Sequence, residues 1–337
     1  MVGTLRFAHP TMLRETQMPP EPIFDLAHLG HMELLTPKPE ASLKFFVDVM
    51  GMTISGRKGE SVYLRGWDDY ERYSLKLTAS KTSGMEHMAL RARSPQALER
   101  RVAALKGSGF EIGWTDGDLG HGPAFRCHDP DGHIVELYYE TEWYQAPADL
   151  KPALKNQAQR FPARGINVRR LDHLNCLAVD IKANRIFFEK YLGCRLTEQI
   201  VLNDGTEAAM WMTMSNKSYD FAYSHDHSNT PGRFHHVTYA LDSREDVLRA
   251  ADIFSGERRL HRNRSGQACH PADIFPLCLR ARRQAGRGRQ CRRPSDSGAG
   301  LEADRVDRGR AQEGPGVGAE DDRVVSHPRD AAGCGMR

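Results

Sequence analysis

A histidine among apolar residues, followed at fixed distances by a paired Phe and a Gly, occurs twice in this chain. No other feature constrains the fold as tightly. Leu29-Gly-His-Met-Glu-Leu-Leu35 leads to Phe46 and Gly51, and Leu171-Asp-His-Leu-Asn-Cys-Leu177 leads to Phe188 and Gly193. His31 to Phe46 and His173 to Phe188 are each 15 residues, and both His-to-Gly separations are 20. A second pair interleaves with the first. Met85-Glu-His-Met-Ala-Leu90 leads to Ser94, and Phe234-His-His-Val-Thr-Tyr239 leads to Ser243, each Ser lying 7 residues past its His (87 and 236). Such self-similarity marks a repeated supersecondary unit, here in the order A, B, A, B.

Each unit reads as strand, helix, then further strands. Period-two stretches such as Ser61–Arg65 and Ala208–Met214 predict strands. Gln96–Leu105 and Glu245–Phe254 predict helices, with Ser94 and Ser243 placed as N-caps. The expectation is an α+β protein of two domains, each made of two units facing one another as an incomplete barrel, or cup. The first spans residues 28–145 after an N-terminal extension over 1–27. The second spans 170–254, and a linker with three prolines covers 146–169. A chain of 337 residues is long enough for two such cores.

Side chains alternate along a strand, so one His in each first strand can face into its cup. After the turn Asp129-Pro-Asp-Gly132, His133-Ile-Val-Glu-Leu-Tyr-Tyr139 reads as a buried strand with Glu136 its lone acid. Burying an unpartnered carboxylate is costly, and a metal shared with His31 and His87 would account for it. Two imidazoles and a carboxylate on one face of an octahedral ion leave three open positions, the arrangement of non-haem Fe(II) oxygen chemistry. The competing readings are satisfied strand histidines at 173 and 236 and a first domain that holds no metal.

The four units, Leu171-Asp-His173, Phe234-His-His236 and the ending Asp129-Pro-Asp-Gly-His-Ile-Val-Glu136 resemble the extradiol ring-cleaving dioxygenases of the catechol 2,3-dioxygenase kind. The likeness covers roughly residues 28–254. It implies two vicinal-oxygen-chelate (glyoxalase and bleomycin-resistance-like) domains built from four βαβββ units. It also implies Fe(II) bound in the second domain by His173 and His236, and a first domain that keeps His31, His87 and Glu136 as a vestigial copy. Catechol, or a substituted catechol, and O2 are the implied substrates, and a homo-oligomer the implied assembly. Repeat alignment sets His236 opposite His173; His235 aligns with Asp172 and is expected to point elsewhere. Tyr219, in Ser218-Tyr-Asp-Phe-Ala-Tyr223, stands where many relatives have an acid–base His. A phenol with a reference pKa of about 10 donates a hydrogen bond but is a poorer proton shuttle near pH 7.

The second domain lacks a third ligand at the expected place. His87 to Glu136 is 49 residues, which predicts a Glu near 285, yet residues 281–290 contain no carboxylate. Composition also changes near Ser255. Residues 1–254 hold 11 Lys and 19 Arg, whereas residues 255–337 hold 17 Arg, no Lys, and Phe275 as the one Phe, Tyr or Trp. Such a tail does not offset its ordering entropy with apolar burial. A one-base slip of the reading frame accounts for this. Gly256–Arg264 can be encoded so that the shifted frame reads Glu-Asn-Gly-Val-Phe-Ile-Glu-Thr, the kind of segment seen at Lys106–Gly113. Ala281–Gln290 can likewise be encoded so that a Glu falls at the codon of Arg287, 51 residues past His236. Residues 255–337 are therefore expected to be out of frame and disordered, the fourth unit disrupted, and the activity of this chain impaired.

A net charge of +3 makes no case for nucleic acid, and no aromatics interleave with the arginines of the tail. No run of about 18 apolar residues predicts a membrane span. The N-terminus lacks the basic-then-apolar order of a secretory signal. Seven cysteines without a CxxC pair give a reduced, cytoplasmic protein as the expectation. Cys127, Cys176 and Cys194 read as small buried residues, and His225 and His227 as a solvated polar loop. Two further functions stand beside ring cleavage. A glyoxalase-like metal-dependent isomerase or transferase is separated from it by O2 uptake with catechol, and a metal-free binding protein or pseudoenzyme by metal analysis.

Overall fold

The repeated Phe and Gly mark the same corner twice. In a computed structural model, residues 24–154, 156–265, 277–281 and 304–307 are described, and of 257–265, 277–281 and 304–307 the backbone alone. Phe46 and Phe188 lie buried in one-turn π-type extensions of short helices. Gly51 and Gly193 then reverse the chain at φ of 76° and 69°, a left-handed conformation that a Cβ would strain.

The first A unit is β1 (Leu26–Thr36), α1 (Pro39–Lys44), β2 (Thr53–Lys58), β3 (Ser61–Arg65) and β4 (Leu75–Ala79). The first B unit is β5 (Gly84–Ala92), α2 (Pro95–Leu105), β6 (Glu111–Thr115), β7 (Ala124–His128) and β8 (Ile134–Tyr138). Together they form an eight-stranded sheet of order β2-β3-β4-β1-β5-β8-β7-β6. β1 and β5 run antiparallel at its centre, and each pairs in parallel with the last strand of its own unit.

The second A unit repeats this plan as β9 (Arg170–Ala178), α3 (Ile181–Phe187), β10 (Arg195–Val201), β11 (Glu207–Thr213) and β12 (Phe221–His225). The second B unit opens with β13 (Phe234–Leu241) and α4 (Arg244–Ser265). Ser94 accepts the Ala97 N–H at 3.0 Å and Ser243 the Asp246 N–H at 3.2 Å, so both serines cap their helices. The fold is thus two vicinal-oxygen-chelate domains.

The structure departs from the expected boundaries in three places. First, α4 does not stop at 254 but continues to Ser265. Second, the region expected to be disordered supplies β14 (Leu277–Ala281) and β15 (Asp304–Asp307). β14 pairs in parallel with β13, as β8 does with β5, because an open strand edge accepts any extended backbone. The codon of Arg287 and the extension up to residue 23 lie outside the described residues. Third, the end of the 146–169 linker belongs to the core. Ile166 and Val168 are buried, and their N–H groups donate to Val49 and Met50 at 2.8 and 3.1 Å.

The domains also meet through the Asp129–His133 turn. Tyr223 donates to Asp129 at 2.5 Å, and the Val179 N–H donates to Asp131 at 2.8 Å. One apolar core runs under both sheets.

Candidate metal centre

Strand register gathers one candidate ligand set in the first domain. His31 pairs with Ala89 across β1 and β5, and Ala89 with Glu136 across β5 and β8, so the three form one row. His87 is two residues before Ala89 and therefore shares its face. Two imidazoles and a carboxylate thus point to the same side, with the small Ala89 between them. The His31 Nε2 is 3.4 Å from the His87 Nε2 and 3.6 Å from the Glu136 Oε1. His87 Nε2 to Glu136 Oε1 is 3.8 Å. All three residues are buried, at 1–2 % exposure.

The Glu136 carboxylate is engaged at its outer oxygen and not at its inner one. Arg126 donates from Nε to the Glu136 Oε2 at 2.7 Å, whereas the buried Oε1 has no hydrogen-bond partner. Leaving a buried acceptor unmatched costs about 1–3 kcal/mol. Glu33 Oε2 lies 3.1 Å from His87 Nδ1, without the alignment of a full hydrogen bond. Glu33 is itself held by Thr78 at 2.5 Å and Lys76 at 3.2 Å. A carboxylate behind a ligating imidazole is the usual outer support of a metal site.

Burial pushes His31 down to about 4, so its imidazole is neutral at pH 7. Burial opposes ionisation of Glu136, but His31, His87 and His121 outweigh it and hold its carboxyl well below the ordinary range. Ligand bonds of about 2.1 Å in tetrahedral geometry set neighbouring donor atoms roughly 3.4 Å apart, so a divalent ion fits after a contraction of a few tenths of an ångström at most. Two residues that sequence reasoning passed over border the triad. The Tyr73 hydroxyl is 3.2 Å from His31 Nε2, and His121 Nε2 is 3.5 Å from Glu136 Oε1.

The second domain repeats the histidine pair. His173 on β9 faces Thr238 on β13 just as His31 faces Ala89, and His236 precedes Thr238 by two. The His173 and His236 ring centroids are 5.7 Å apart at 79°, against 5.5 Å and 86° for His31 and His87. Tyr219 sits 4.8 Å from the His173 ring, as Tyr73 sits 4.6 Å from His31. Each tyrosine lies two residues before the last strand of its A unit. His173 donates from Nδ1 to Asp172 at 2.7 Å, which turns the Nε2 lone pair inward to accept the Thr238 hydroxyl at 3.1 Å. Burial pushes His236 down to about 3, with His235 and His173 adding to the effect.

Among the described residues no carboxylate joins this pair, and the first-domain triad is the one such cluster. His235 Nδ1 lies 2.6 Å from His236 Nδ1, as Asp172 lies beside the Nδ1 of His173. His225 ends β12, and its Nδ1 lies 3.2 Å from that of the exposed His227. Cys127, Cys176 and Cys194 are free and buried.

Comparison with known proteins agrees with this architecture. The profile of the Glyoxalase/Bleomycin resistance protein/Dioxygenase superfamily matches residues 28–137 and 170–262. A metapyrocatechase of Geobacillus stearothermophilus is 41% identical over 233 residues, 69% of this chain and 71% of its own length. A manganese-dependent 2,3-dihydroxybiphenyl 1,2-dioxygenase of Geobacillus genomosp. 3 is 36% identical over 231 residues, 68% of this chain and 73% of its own. The crystal structure of the 2,3-dioxygenase LapB from Pseudomonas sp. KL28 superposes with a TM-score of 0.64 at 27% identity, covering 70% of this chain and 82% of that one. The chain belongs to the glyoxalase, bleomycin-resistance and dioxygenase superfamily, and within it to the extradiol dioxygenases related to metapyrocatechase, the catechol 2,3-dioxygenases. No helix among the described residues is long and apolar enough to cross a membrane.

Proposed function

We propose that this protein is built to open the ring of catechol, or of a substituted catechol, beside its diol with O2, using Fe(II) held by His173 and His236. The observation that carries this reading is the repeated geometry of two strand imidazoles beside a tyrosine, kept in the second domain within 0.2 Å of the first-domain ring separation (5.7 against 5.5 Å). The metal, when bound, supplies Lewis acidity and adjacent positions for the diol and O2. Asp172 holds the His173 tautomer that presents Nε2. Tyr219 contributes a phenolic hydrogen-bond donor beside that ring rather than a proton shuttle. One relative is named as manganese-dependent, so Mn(II) is the competing ion. A cytoplasmic homo-oligomer belongs to the same reading and rests on the family alone.

The reading includes a damaged second domain. The third ligand is absent from the expected place, and a one-base slip near Ser255 accounts for that absence and for the Lys-free tail together. The same absence favours a second reading, a binding protein that no longer turns over.

The test has two steps. The gene is sequenced across codons 250–260, and the frame-restored chain is expressed, loaded anaerobically with Fe(II) or Mn(II), and assayed for O2 uptake and ring-opened product from catechol. The expected result is a one-base discrepancy, Fe(II)-dependent cleavage by the restored chain, and little by the present one. An uninterrupted gene would end the frame-slip reading. A restored chain without metal-dependent cleavage would end the dioxygenase reading. Metal-dependent turnover of a thiol adduct without O2 uptake would place the protein with the glyoxalase-like isomerases.

A further inference from the structure

We infer that the first domain is itself a resident divalent-metal site, held by His31, His87 and Glu136 and independent of the second-domain histidines. Three features converge on this assignment. The buried Glu136 Oε1 has no hydrogen-bond partner, yet three imidazole ε-nitrogens stand 3.5–3.8 Å from it. An ordinary buried ion-pair network would aim an N–H at that oxygen. Here the two ligand nitrogens and the carboxylate oxygen instead converge on a common point.

The outer supports are asymmetric in the way a metal site needs. Arg126 occupies Oε2 at 2.7 Å and leaves Oε1 as a single inward donor. Glu33 stands behind His87 on the Nδ1 side at 3.1 Å and leaves Nε2 inward.

The third feature is the space between the donors. Ala89 lies in register between His31 and Glu136 and offers only a methyl group. In the second domain the same place is filled by Thr238, whose hydroxyl engages His173. Two nitrogens and one carboxylate oxygen suit Fe(II), Mn(II) or Zn(II) better than Ca2+ or Mg2+, which prefer all-oxygen shells. With its ligands at 1–2 % exposure, this site retains its ion whether or not the second domain is complete. Metal content is then no measure of the ring-cleaving site.

The full-length chain is stripped with a chelator, reloaded anaerobically with Mn(II) or, separately, Zn(II), and passed over a sizing column. Metal per chain is then read by mass spectrometry, and the unfolding midpoint is followed with and without metal. The expected result is one equivalent in the wild type and in the His173→Ala/His236→Ala double variant, with a midpoint raised by metal in both. Glu136→Gln, of the same size, is expected to bind more than about 100-fold more weakly, beyond the roughly 10–100-fold cost of losing an outer-shell partner. Ala89→Val, which removes no ligand but fills the space between them, is the second variant and is expected to lose the ion while remaining folded. The inference is overturned if the wild type retains no metal. It is equally overturned if the bound equivalent disappears with His173 and His236 and survives in Glu136→Gln and Ala89→Val. Neither result bears on catechol cleavage by the frame-restored chain, so the two readings fail separately.

Discussion

The two domains share their first strands and differ in their last. In the first, β5 is followed across the sheet by β8, β7 and β6, and β8 brings Glu136 opposite Ala89. In the second, among the described residues, β13 is followed by β14 alone and no carboxylate reaches the histidines. The imidazole pairs are nevertheless nearly superposable in separation and tilt. Histidine placement is therefore a local matter of β1 against β5 and β9 against β13, antiparallel neighbours that set His31 opposite Ala89 and His173 opposite Thr238. The carboxylate comes from the strand that closes the unit, dozens of residues further along.

The largest expected effect tests which domain does the chemistry. In the frame-restored chain, His236→Ala is expected to lower catechol-dependent O2 uptake by more than about 100-fold, since losing a metal ligand exceeds the roughly 10–100-fold cost of losing a residue that only supports one. His87→Ala is expected to leave the rate within about threefold. The reverse pattern in the same assay would move the chemistry to the first domain and invert the comparison.

A second contrast concerns how the closed domain is fastened. Glu71 accepts from His28 on β1 at 2.7 Å, from the Tyr138 hydroxyl on β8 at 2.6 Å and from Thr141 at 2.9 Å. Burial opposes its ionisation, but His28, Tyr138 and Thr141 outweigh it and hold the carboxyl at about 2 against an ordinary 4.5. Because the folded value lies below the unfolded one, this stabilisation is complete above about pH 5 and is lost as pH falls through 4.5 toward 2. Its full size is roughly 3 kcal/mol. Urea unfolding between pH 6 and pH 3 is expected to show about 2 kcal/mol of that loss, since pH 3 lies about 1.5 pH units below 4.5, and Glu71→Gln is expected to remove it. An unchanged pH slope in the variant would show that the clasp does not set the acid stability of this domain.

The repeat made the paired histidines, the helix caps and Glu136 legible, because each is a fixed offset within a unit or a lone acid in an apolar strand. Tyr73 had a weaker signal. It lies 42 residues past His31, while Tyr219 lies 46 past His173, since the turns between the strands differ in length and shift the alignment. His121 had none, because it sits in the connection between β6 and β7, an element with no counterpart among the described residues of the second domain. Ile166 and Val168 were read as linker because a two-residue apolar alternation among Asn and Arg is too short to distinguish a buried edge from a loop.

The smallest expected effect asks how far the second domain has kept its cooperativity. Ser94 caps α2 through one bond to the Ala97 N–H. Ser243 caps α4 reciprocally, its hydroxyl accepting from the Asp246 N–H while the Asp246 carboxylate accepts the Ser243 N–H at 3.1 Å. Either serine replaced by Ala is expected to cost about 1 kcal/mol if its helix is part of the folding unit. Urea unfolding of Ser94→Ala is expected to show that loss, since α2 is anchored by buried Ala97, Leu98 and Leu105. α4 buries Ala250, with Val247, Ile253 and Phe254 only partly covered, and its Leu248 is exposed. Equal losses would mean that α4 docks as firmly as α2. A Ser243→Ala midpoint matching the wild type would mean that α4 opens below the global transition.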